Sequence, residues 1–158
     1  MCGTPFVADR CEIEALRGEF TDAGMMRDHD RFASLFTDDG AWRMPHVGVE
    51  LVGRAAIRTG IERLQARWAY FVQNAHPGSI RVDGDSAHGR AYIAEFGRFR
   101  DGSSNLNYSL YHDRYRRTPD GWRFAERLYE IRYVDTTALT GSAPHPAGDP
   151  GPRPPAIR

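Results

Sequence analysis

The hydrophobic spacing of this chain changes period once, near residue 70, and that change decides the fold class. Before it, Ile13, Leu16, Phe20 and Ala23 recur at helical intervals. Phe32, Leu35 and Phe36 form a second short cluster, and Ile57, Ile61, Leu64 and Trp68 follow at i, i+4, i+7 and i+11. This is the stripe of a helix with one apolar face. After it, residues 70–76, 79–83, 87–100, 105–117 and 122–134 read as strands, punctuated by Asp83-Gly84-Asp85, Asp101-Gly102 and Asp120-Gly121. Such dipeptides supply the positive φ that tight hairpins need. Residues 40–44 and 49–52 add two short strands. The pattern predicts an α+β domain: three helices in the N-terminal half, packed on one face of a curved antiparallel sheet.

The local boundaries follow from capping and turn chemistry. Asp9 is the expected N-cap of a helix running to about Arg27, Asp28 and Asp30 the caps of the second helix, and Asp38-Asp39-Gly40 a turn. Residues 1–8 then form an arm, 9–137 the domain, and 138–158 a disordered tail too rich in proline and glycine to pack.

Composition removes several functions. The 158 residues suit one domain, and 21 acidic residues cancel 21 basic ones, so no net field draws the chain to nucleic acid or membrane. Every basic residue is arginine; without lysine there is no Schiff base and no Walker lysine. Cys2 and Cys11 cannot form a four-cysteine zinc site, no two histidines have metal-pair spacing, and His-Glu-x-x-His is absent. Gly-x-Ser-x-Gly and Gly-x-Gly-x-x-Gly are missing too, which argues against serine hydrolases and dinucleotide enzymes. No apolar run has the length of a signal peptide or membrane span, so a soluble, cytoplasmic protein is expected.

Two blocks carry a resemblance. Residues 27–42, Arg-Asp-His-Asp-Arg-Phe-Ala-Ser-Leu-Phe-Thr-Asp-Asp-Gly-Ala-Trp, and residues 120–127, Asp-Gly-Trp-Arg-Phe-Ala-Glu-Arg, resemble the SnoaL-like branch of the nuclear-transport-factor-2-like superfamily. These are cone-shaped domains enclosing a ligand cavity, and the likeness spans roughly residues 10–136. It implies a cofactor-independent lyase, isomerase or cyclase that acts on a small, largely apolar cyclic metabolite such as a polyketide-like intermediate. It also implies a homodimer or homotrimer that bears no metal.

The resemblance assigns roles by position. His76, before Pro77, matches the general base of the dehydratases and dehydrochlorinases, where an imidazole removes a carbon-bound proton. Arg127 matches a cavity arginine able to stabilise an oxyanion or leaving anion. Met25 stands where the family places the aspartate that orients the histidine. Asp22, one turn earlier, is either the substitute carboxylate or an ordinary solvated side chain. Strand alternation places Asn107, Ser109 and Tyr111 on one face, which is a ligand site or a solvent face, and the resemblance turns it to the cavity. Trp42, His46 and Tyr92 complete the expected substrate contacts. The alternative, given Met25, is a binding or accessory domain that keeps the cavity without the catalysis. A structural subunit like the β subunits of ring-hydroxylating dioxygenases would need a large exposed apolar patch, which the sequence does not suggest.

Overall fold

The computed structural model describes residues 4–144. The tail from residue 145 onward, with His145, and Cys2 lie outside the described residues. Helix α1 runs Thr4–Met25 and α2 His29–Ser34; strand β1 runs Phe36–Met44 and β2 Val49–Val52; helix α3 runs Arg54–Ala66. Four long strands follow: β3 Trp68–Asp83, β4 Ser86–Phe99, β5 Ser104–Thr118 and β6 Gly121–Asp135. They form one six-stranded sheet in the order β2-β1-β6-β5-β4-β3. The sheet is mixed rather than wholly antiparallel, because β1 and β6 pair in parallel. The three helices stand against it as an α+β cone. Among the described residues no helix is long and apolar enough to cross a membrane.

Several boundaries differ from expectation, each for a tertiary reason. Asp9 does not cap α1; the helix begins at Thr4, and the Asp9 carboxylate instead accepts Trp122 Nε1 at 3.1 Å and lies 2.8 Å from Arg117 Nη1. Asp28 does cap α2, accepting the Arg31 N–H at 3.1 Å, whereas Asp30 reaches across to Arg58 of α3. The residues 38–40 are not a turn but an irregular stretch inside β1, where the register with β6 shifts between Phe36 and Ala41. Trp68 extends the helical stripe in sequence, yet it opens β3, because its ring stacks on Phe99 of β4 at 3.8 Å. The two segments read as separate strands are one, bulged between His76 and Ser79. Residues beyond 137 still touch the domain at Leu139, whose N–H donates to Ser104 Oγ and whose carbonyl accepts from Arg98.

Alternation along the strands sorts the side chains. Ala87, Ala91 and Ile93 of β4, Tyr111 and Tyr115 of β5, and Phe124 and Tyr129 of β6 face inward with Ile13, Leu16 and Phe20 of α1. Burying a Phe or Ile side chain stabilises the fold by about 1.5–3 kcal/mol. The outer face differs from the sequence reading: Phe96, Tyr108 and Tyr133 are exposed there, and Tyr108 packs beside Tyr133 at 6.4 Å. That is an apolar exterior.

Candidate active site

A cleft of about 190 Å³ opens between α1 and the inner face of the β3–β4 pair. Its floor is apolar, made by Ala75, Ala91 and Ile93. Four polar residues line it, Glu14 and Arg17 of α1, His76 of β3 and Arg127 of β6, with His76, paired across the ladder with Tyr92, at its outer rim. His76 is exposed at the bulge beside Pro77, and among the described residues its ring has no hydrogen-bond partner. The bulge depends on close backbone approach: a Cβ on Gly78 would meet the Arg90 carbonyl at 1.8 Å, and one on Gly89 the Ser79 carbonyl at 1.9 Å.

Arg127 is the more deeply buried of the two arginines in the site. Its Nε and Nη2 donate to Asp113 Oδ1 and Oδ2 at 2.8 and 3.0 Å, a bidentate pair. Its guanidinium lies 3.9 Å from the Tyr111 ring centroid and 4.3 Å from those of Phe20 and Phe124. Burial alone would favour losing the proton, but the Asp113 carboxylate outweighs it and holds the Arg127 pKa above the ordinary arginine value. Arg17 shares the same carboxylate: its Nε is 3.8 Å from Asp113 Oδ2 and donates to Tyr115 OH at 2.7 Å. The hydroxyl of Tyr115 in turn donates to Asp113 at 2.6 Å. Glu14 approaches Arg17 Nη1 at 3.4 Å and remains partly open to the cleft.

The other expected residues are placed as follows. Asp22 points away from the cleft; it is exposed and accepts from Arg31 Nη2 at 2.5 Å. Helix α1 thus brings Glu14, not Asp22, to the cleft as its carboxylate. Met25 lies over β3, its sulfur accepting the Gln73 N–H at 3.2 Å. Trp42 is buried and donates Nε1 to Tyr111 OH at 3.3 Å. Asn107, Ser109 and Tyr111 are buried on the inner face. Burial first, and the Glu95 charge second, push the Tyr111 hydroxyl pKa up. His46 sits on the exposed 3₁₀ turn Pro45–Val47 with its ring 5.3 Å from Tyr129, and burial lowers its pKa despite the opposing pull of Glu95. Tyr92 corrects the sequence reading: between inward Ala91 and Ile93 it must face outward, and it is 46% exposed.

With this geometry in view, comparison places the chain. A family model described as a SnoaL-like domain matches residues 7–128. The chain belongs to the SnoaL-like family. An uncharacterised protein from Mycobacterium tuberculosis is 27% identical over 125 residues, covering 77% of this chain and 84% of that one. The fold is similar to that of a hexachlorocyclohexane dehydrochlorinase, LinA type 2, at TM-score 0.80 and 21% identity, covering 87% of this chain and 95% of that one. It is also similar to ActVI-ORFA of Streptomyces coelicolor, at TM-score 0.65 and 21% identity over 78% of this chain and 96% of that one. At such identities the structural likeness is one of fold.

Sequence reasoning missed five polar residues inside this SnoaL-like cone: Arg17, Gln73, Glu95, Asp113 and Tyr129. The signal existed for some of them. Asp113 continues the parity of Asn107, Ser109 and Tyr111, and Glu95 that of Ala91 and Ile93. Arg17 carries no such mark, because an arginine on a helix is ordinarily a surface group; here it is 4% exposed.

Proposed function

We propose that this SnoaL-like domain is a cofactor-independent acid–base enzyme, a lyase, isomerase or cyclase acting on a small, largely apolar cyclic metabolite. The carrying observation is that His76, without a side-chain partner among the described residues, shares one cleft with the buried cation Arg127 over an apolar floor. In this reading the His76 imidazole takes a proton from the carbon next to an activating group. Arg127 and the Tyr111 hydroxyl stabilise the oxygen or leaving anion on which charge develops. Asp22 has no part in this reading as the structure stands, being bound to Arg31; Glu14 is the carboxylate within the cleft. Trp42, Asn107 and Ser109 shape the interior, and Met25 and His46 flank the approach to it. The solved dehydrochlorinase of the same fold supports the reaction class.

The test is proton exchange in heavy water. Cyclic ketones incubated with the full chain are followed by NMR for deuterium at the carbon beside the carbonyl, and hexachlorocyclohexane is followed for chloride release. Loss of exchange by a factor of about 10²–10⁴ in His76→Ala supports the reading. Exchange that is absent in the native protein with every probe refutes it and leaves the second reading, a ligand-binding domain without catalysis. That second reading draws on Met25 at the aspartate position and on Asp22 turned outward.

We also infer a homodimer or homotrimer closed over the outer sheet face. The exposed rings of Tyr108 and Tyr133 support it, since apolar exteriors of this kind mark contact surfaces.

A further inference from the structure

Glu95 lies on the inner face of β4, one cross-strand pair beyond the cleft floor: Ala75 pairs with Ile93, and Gln73 with Glu95. Three neutral donors hold its carboxylate. Gln73 Nε2 donates to Oε1 at 2.6 Å, while Tyr129 OH and Asn107 Nδ2 donate to Oε2 at 2.6 and 3.2 Å. Those donors are themselves fixed, Gln73 by the Thr21 hydroxyl at 2.9 Å and Asn107 by Asn105 at 2.6 Å.

The interior cations do not serve this carboxylate. Arg17 and Arg127 are both committed to Asp113, and among the described residues no arginine pairs with Glu95. Its negative field acts on its surroundings: it helps push up the Tyr111 and Tyr129 hydroxyls, after burial, and it opposes the lowering of His46. A carboxylate offers about four acceptor sites, and three donors leave room for another. Tyr129 and Tyr111, 5.0 Å apart, stand beside it with His46 as an aromatic wall. Glu95 is only half-buried, as are Met25 and Met44, and His46 is exposed, so this end of the cone is reachable.

An anion without a counter-cation, set among aromatic faces, is the arrangement that recognises a positive nitrogen. We propose that the Glu95 end of the cone binds a cationic amino group of the ligand, with Glu95 as its anchor and Tyr129 and Asn107 holding that anchor in place. The substrate class this names is a cyclic molecule bearing an amine. The inference concerns the same inner sheet face as the reading above, further along β3 and β4 from the cleft, and does not depend on proton transfer at His76.

The test uses three probes of one shape, benzylamine, benzyl alcohol and benzoate, titrated calorimetrically into the full chain near neutral pH. Benzylamine is expected to bind at least about tenfold more tightly than benzoate, with the alcohol between them. Glu95→Gln, isosteric but uncharged, should erase that order, whereas Asp22→Asn, on the outer side of α1, should preserve it. Benzoate binding as tightly as benzylamine, or no amine binding at millimolar concentration, overturns the proposal in the native protein without any variant. Persistence of the order in E95Q, or its loss in D22N, overturns the assignment to Glu95. Failed proton exchange with an intact amine preference would sink the enzyme reading alone.

Discussion

Arg127 and Asp113 meet through two parallel hydrogen bonds, and both side chains are almost wholly buried. Removing one partner strands a charge in the interior. Asp113→Ala is therefore expected to lower stability by about 3–5 kcal/mol in urea unfolding. The paired change Asp113→Leu with Arg127→Met should cost less than D113A, because the Arg127 charge goes with its partner and Arg17, which also loses Asp113, keeps Glu14. A double variant less stable than D113A would mean that the pair is worth more than its desolvation.

The bulge that presents His76 relies on Gly78 and Gly89, whose backbones approach the facing strand too closely for a side chain. Gly78→Ala must push β3 from β4, at an expected cost of about 1–3 kcal/mol. Thermal unfolding measures the cost, and the His76 ring resonances should shift in NMR spectra. Unshifted resonances would show that the bulge does not set the ring's position.

Arg117, followed by Trp122, holds the Asp9 carboxyl below the ordinary aspartate value of 3.8. Near that pH the unfolded chain binds more protons than the native one, so this contribution is present above it and fades as the pH falls through the lower, folded value. Asp9→Asn should be the less stable protein at neutral pH, with the gap to the native protein narrowing below about pH 4. Parallel denaturation curves across that range would show the gap; one independent of pH would exclude the Asp9 contact as its source.

Tyr108 and Tyr133 present neighbouring rings, 57% and 55% exposed, on the outer face. If copies of the chain close over that face, Tyr108→Arg with Tyr133→Arg should dissociate them into folded monomers in sedimentation equilibrium. A native protein that sediments as a monomer would remove the proposed interface.

The helices were legible because each has one apolar face, as Ile13 to Ala23 show, whereas the largely polar odd positions of β5 were turned inward by the resemblance. What was hidden depends on partners far along the chain. Asp9 looks like a cap until Trp122 folds over it, a contact across 113 positions. Trp68 keeps helical phase, yet stacking on Phe99 outweighs it. In the site, parity grouped Tyr111 with Asn107 and Ser109 and the resemblance turned them inward; on β4 the same parity excludes Tyr92 and admits Glu95. The side on which a helical aspartate lies could not be read at all: Asp22 is turned outward by Arg31, a residue of the next helix.

The sheet order has a consequence for synthesis. β6, the last strand to leave the ribosome, lies in the middle, joining the β1–β2 hairpin to the β3–β5 meander. A nascent chain lacking residues 121–135 holds two separate half-sheets with open edges, and the cone closes only once its final strand has emerged.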